Sequence, residues 1–217
     1  MKTFLISLLI CCFATTVSAQ AGYYVGGRYV MPHGVALIDP VPGFGAAIGF
    51  ANHLEVSDAF QLLYRGEANT LAASYNFFDY MNPQKAPILQ QFRWYSFSAG
   101  FSPAVVVGED IKVFGGIEAA YVALATGPIS DGIFYPDTYT LEGNSSSVNM
   151  FDYEDHLNGS FNYGLNLGVS TGLGAFSIVA KYYLQVGNTS SKYTASEKRG
   201  VLTNIVSLDI AFYPFYD

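Results

Sequence analysis

Residues 161–170 read "FNYGLNLGVS", and the two parities of this stretch have unlike chemistry. Phe161, Tyr163, Leu165, Leu167 and Val169 make a large apolar row, while Asn162, Gly164, Asn166, Gly168 and Ser170 make a small and polar one. Strict alternation predicts a β-strand with two different faces. The fold is decided by which face meets the protein interior, because a soluble barrel and a membrane barrel give opposite answers.

Period-two runs bounded by turn residues predict eight strands, at 22–31, 43–53, 58–68, 91–105, 111–126, 160–171, 175–187 and 200–214, the third with a continuation over 70–78. The connections alternate. Segments 32–42, 69–90, 127–159 and 188–199 are long, whereas 54–57, 106–110 and 172–174 are short. An even strand number, with long loops at one end and tight turns at the other, is the layout of a transmembrane barrel. No solenoid or propeller repeat is visible.

The charges decide the faces. Arg28, Arg65, Glu67, Glu118, Lys181 and Asp209 all fall on the small and polar parity of their strands, opposite rows such as Tyr23, Val25, Tyr29 and Val206, Leu208, Ile210, Phe212. In a soluble barrel that arrangement would expose an apolar belt to water. Against lipid the conflict disappears, since a lipid-facing cation at the midplane costs ~2–4 kcal/mol and a lumenal one can find a partner. The expected fold is therefore all-β, an eight-stranded antiparallel transmembrane β-barrel, with the six charges as a lumenal network. Three cations and three anions leave that network formally neutral, and Tyr24, Trp94, Phe114 and Tyr183 are expected to point inward beside it.

The first residues, "MKTFLISLLICCFATTVSAQ", combine Lys2, an apolar run and small residues at Val17-Ser18-Ala19, which predicts a secretory signal peptide at 1–19 and a barrel domain at 20–217. Both cysteines, Cys11 and Cys12, lie in this leader, so a chain cut after Ala19 has no disulfide, thiol nucleophile or cysteine-bound metal. Charged residues make up 12% and aromatic residues 16% of the chain, a balance that fits a glycine- and aromatic-rich barrel. The formal net charge of −7 argues against nucleic acid as a partner.

"AGYYVGGRYVMP" and "GFGAAIGFANHLEV" as an opening hairpin, with the aromatic ending "SLDIAFYPFYD", resemble the small outer-membrane barrels of the OmpA/OmpX type and the porin-like outer-membrane β-barrel domain proteins of Bacteroidota. One departure is Asp217, which follows Phe215 and Tyr216 where such chains often end on an aromatic residue. The resemblance implies the outer membrane of a Gram-negative bacterium and contact with its lipid. It also implies a structural or accessory role, as a subunit beside a larger secretion or assembly complex reached through the outer loops. A small-solute channel and a rim lipid-modifying enzyme are the alternative readings.

Other candidates are weaker. Asp152, Glu154, Asp155 and His156 offer oxygen and imidazole ligands within one loop, but their spacing matches no calcium loop, and a solvated loop is expected. His33 with Asp39 nearby lacks a placed serine for triad chemistry, so no catalytic residue, cofactor or metal is assigned. His53 is expected to cap or solvate a tight turn. Sequons at Asn144, Asn158 and Asn188 fall in loops and are expected to carry no glycan.

Overall fold

The structure is a computed structural model that describes residues 20–33, 38–77, 88–108, 110–129, 146–149, 161–188 and 202–214. The expected signal peptide lies outside these residues, as does the 152–156 cluster. Eight strands form the wall: β1 (Gln20–His33), β3 (Gly43–Ser57), β4 (Phe60–Phe77), β5 (Ile88–Val107), β6 (Ile111–Ile129), β8 (Phe161–Leu173), β9 (Phe176–Asn188) and β10 (Leu202–Phe212). Each is antiparallel to its neighbours, and β1 pairs with both β3 and β10, so the sheet closes on itself. Closure satisfies the backbone groups that a sheet edge would leave bare. Two short strands, β2 (Ile38–Val41) on β4 and β7 (Ser146–Asn149) on β6, prolong the wall beyond the ring.

The strand number and order agree with the expectation, but several boundaries move. Expected strand 58–68 and its continuation are one strand, because β4 pairs β5 without a break from Phe60↔Val105 to Phe77↔Ile88. Of the expected 69–90 loop, the residues up to Phe77 belong to β4 and those from Ile88 to β5. Strand β3 runs through the expected 54–57 turn, absorbs a register shift between Glu55 and Ser57, and turns at Asp58–Ala59. The 106–110 and 172–174 turns tighten around Gly108 (φ 77°) and Gly174 (φ 63°), where left-handed backbone favours glycine. Within the expected 127–159 loop, β6 continues to Ile129 and β7 pairs back onto it.

The two parities separate as the charges required. Outward residues include Phe44 at 73% exposure, Ile48 at 64% and Leu167 at 62%, while inward Arg28 is 2% exposed and Asp209 0%. Outward aromatic pairs sit toward both ends: Tyr29–Phe44 near the loop end, at 5.4 Å between centroids, and Phe176–Phe212 at the turn end, at 5.2 Å. Such pairs suit the membrane–water boundary, where an apolar body meets a wet rim.

Glycines on the inner row make room for large neighbours. A Cβ on Gly26 would overlap the Asp209 carboxylate, and one on Gly168 would overlap the Phe114 ring. The narrow barrel is thus filled by letting long side chains cross over bare backbone.

Candidate functional site: the ion-paired lumen

The six lumenal charges come from five strands, Arg65 and Glu67 both from β4, and meet near the middle of the barrel. They form one alternating chain in the order Glu118, Lys181, Glu67, Arg28, Asp209, Arg65. Lys181 Nζ donates to Glu118 Oε2 at 2.8 Å and to Glu67 Oε1 at 3.2 Å. Arg28 donates to Glu67 Oε2 at 2.7 Å and, through its other terminal nitrogen, to Asp209. Arg65 donates to the second Asp209 oxygen. Each interior member of the chain therefore touches two opposite charges.

Neutral groups complete the network. Glu67 also accepts from Tyr24 Oη at 2.7 Å and Ser98 Oγ at 2.9 Å, so all four hydrogen bonds of this buried carboxylate are made within the lumen. Asn166 donates to Glu118 Oε2 at 3.4 Å and accepts from Ser102 Oγ at 2.7 Å. The Arg65 guanidinium lies over the Tyr24 ring, 4.5 Å from its centroid, a cation–π contact. Buried charges are tolerated only when paired and hydrogen-bonded to this degree.

The two halves of the lumen differ. Toward the turn end, Tyr24, Ala51, Ala211 and Tyr213 form one buried apolar cluster, and Leu63, Ala104, Phe114 and Val179 form another. Between that plug and the turn-end mouth, His53 Nε2 is hydrogen-bonded to Tyr213 Oη at 2.5 Å, while Lys112 Nζ lies 3.4 Å from His53 Nδ1. His53 is thus half-buried within β3 and does not cap a turn, which corrects the expectation; β3 simply runs past it. Toward the loop end the lumen holds a cavity of about 50 Å³, floored by Arg28, Glu67, Glu118 and Lys181 and walled by residues that include Trp94 and Tyr183.

Other candidates are not brought together. His33 is exposed and its Nε2 lies 2.6 Å from Asn204 Nδ2. The Asp39 side chain, Asp152, Glu154, Asp155, His156 and the side chains of Asn144, Asn158 and Asn188 lie outside the described residues. Of the residues that parity places inward, Arg28, Glu67, Glu118, Lys181, Asp209, Tyr24, Trp94, Phe114 and Tyr183 are buried and Arg65 is half-buried. Parity assigned no place to Lys112 or Tyr213, and it put Asn166 on the polar row without its partners, which follow from cross-barrel distances. It also passed over Arg93, an exposed cation on the outward row of β5 near the loop end.

An apolar outside, a charged inside and a closed backbone satisfy all three requirements of a protein surrounded by lipid. The chain is a transmembrane β-barrel. Solved barrels similar to it include Neisserial surface protein A, at 14% identity over 89% of this chain and 97% of that one, with a TM-score of 0.48. The attachment invasion locus protein Ail of Yersinia pestis, solved with the heparin analogue sucrose octasulfate, is 14% identical over 89% of this chain and 97% of that one, with a TM-score of 0.46. The N-terminal barrel domain of Pseudomonas aeruginosa OprF is 10% identical over 90% of this chain and 100% of that one, with a TM-score of 0.32. No protein-family model and no curated protein sequence matches the chain.

Proposed function

We propose that this barrel resides in a bacterial outer membrane, is exported behind residues 1–19, and has a structural or accessory role in which the lumen is a stabilising plug. The observation that carries this reading is how the lumen is filled: two buried clusters lie toward the turn end and a chain of six ion-paired charges lies across the middle. An eight-stranded barrel is about wide enough for side chains to fill it. The functional surface is then the loop end, where long connections supply contacts to a larger secretion or assembly complex of the kind the Bacteroidota resemblance implies.

Purified protein in planar bilayers should show no sustained ohmic conductance, and Arg65→Ala should lower the thermal stability of the folded barrel. A steady open pore together with an indifferent Arg65→Ala variant would overturn the plug in favour of a small-solute channel.

Orientation has its own test. The reading puts the turns and both chain ends on the periplasmic side and the loop ends outside, as in barrels with short periplasmic turns. A cysteine placed within 130–145 should react with an impermeant maleimide on intact cells, and Asp110→Cys should not. The reverse pattern would invert the barrel.

A further inference from the structure

The charge chain is balanced in number but not in its ends. Glu67, Lys181, Arg28 and Asp209 each touch two opposite charges, whereas Glu118 and Arg65 each touch one. An alternating row of charges has, close to each end, a residual potential of the sign of its last member, since the nearest charge dominates. Glu118 is the anionic end and lies on the floor of the loop-end cavity, which Arg65 does not line. Its bonds from Lys181 and Asn166 both fall on Oε2, so Oε1 is outside that pairing.

A second observation at the same cavity is independent of the charges. Tyr183 is 4% exposed, its ring lines the cavity, and its hydroxyl has no hydrogen-bond partner. A buried polar atom left so costs about 1–3 kcal/mol unless something enters to meet it. The indole of Trp94 lines the same cavity. An open carboxylate oxygen, an unmatched hydroxyl and two aromatic side chains are the groups that receive a cation able to donate hydrogen bonds.

We propose that the loop-end cavity is a binding site for a small primary ammonium group, held by Glu118 Oε1 and the Tyr183 hydroxyl between the aromatic side chains of Tyr183 and Trp94. The about 50 Å³ available admits a ligand of a few heavy atoms. Exclusion of larger quaternary cations follows, because they are bulky and have no proton to donate. Lys181 and Arg28 set an upper limit on affinity, yet each is already held by two carboxylates.

Trp94 is the single tryptophan of the chain, so its fluorescence reports this cavity. Titrating the purified barrel with methylammonium chloride at constant ionic strength should give a saturable change, while sodium and tetramethylammonium give none. Glu118→Gln should abolish the change. Tyr183→Phe, which leaves every ion pair in place, should raise the half-saturating concentration by about tenfold, the worth of one hydrogen bond to a charged group. Both variants are first checked for folding by their heat-dependent mobility in gels; if Glu118→Gln does not fold, Tyr183→Phe carries the test. A response shared by sodium, or unaltered in Tyr183→Phe, would overturn the site. Neither result bears on the sealed turn end, which conductance tests.

Discussion

Asp209→Asn should destabilise the barrel by about 3–5 kcal/mol, the cost of removing one partner from a buried ion pair. Asp209 is fully buried and holds both Arg28 and Arg65. Asparagine keeps the shape, but its amide oxygen can accept from only part of this pair, and its NH₂ points donors at donors. Two guanidiniums then share a neutral group in a closed interior. Urea unfolding in phospholipid vesicles, followed by Trp94 fluorescence, measures the loss. Adding Arg65→Met to Asp209→Asn removes the orphaned cation and restores the charge balance, so the double variant should be more stable than Asp209→Asn alone. Purely additive losses would mean that the chain is not a coupled network.

The second large effect concerns the outer row. Leu167 lies midway along β8 and is 62% exposed, facing lipid. Leu167→Arg should cost about 2–4 kcal/mol, as expected for a cation at the bilayer midplane. Leu173→Arg, at the turn end of the same row, should cost about 0–1 kcal/mol because the headgroups are within reach. The same vesicle assay compares the two. Equal costs, or a larger cost at Leu173, would contradict the placement of this row against the hydrocarbon core.

Much of this molecule is legible from alternation alone, and the reason is geometric. A strand has a side-chain period of two, so one glance at Ser207, Asp209 and Ala211 against Val206, Leu208 and Ile210 tells which row faces inward. Partners are another matter. That Asp209 meets Arg28 and Arg65, and that Lys181 bridges Glu67 and Glu118, depends on strand stagger and ring closure, which no local pattern encodes. Strand ends were also hidden. The polar and small residues of "EANTLAASYN" allow both a continuation of the third strand over 70–78 and a loop from 69, and only the pairing with β5 decides for the strand. His53 was read as a turn residue for the same reason, since its partner Tyr213 lies 160 positions away.

The order of the ion-paired residues along the chain bears on how the barrel assembles. Arg28 is in the first strand and Asp209 in the last, 181 positions apart, and the Arg65–Asp209 link spans 144. These bonds cannot form until β10 has docked on β1, so the carboxylate that pairs with both arginines arrives with the final strand. Contacts of such sequence separation are slow to make, because the intervening chain must be ordered first. Before docking, Arg28 has Glu67 and Arg65 has the Tyr24 ring, but neither has its Asp209 partner; afterwards both hold the seam shut. A partly assembled intermediate is therefore penalised while the finished ring is reinforced, which makes closure of this barrel a cooperative, late event and leaves few half-built forms in the membrane.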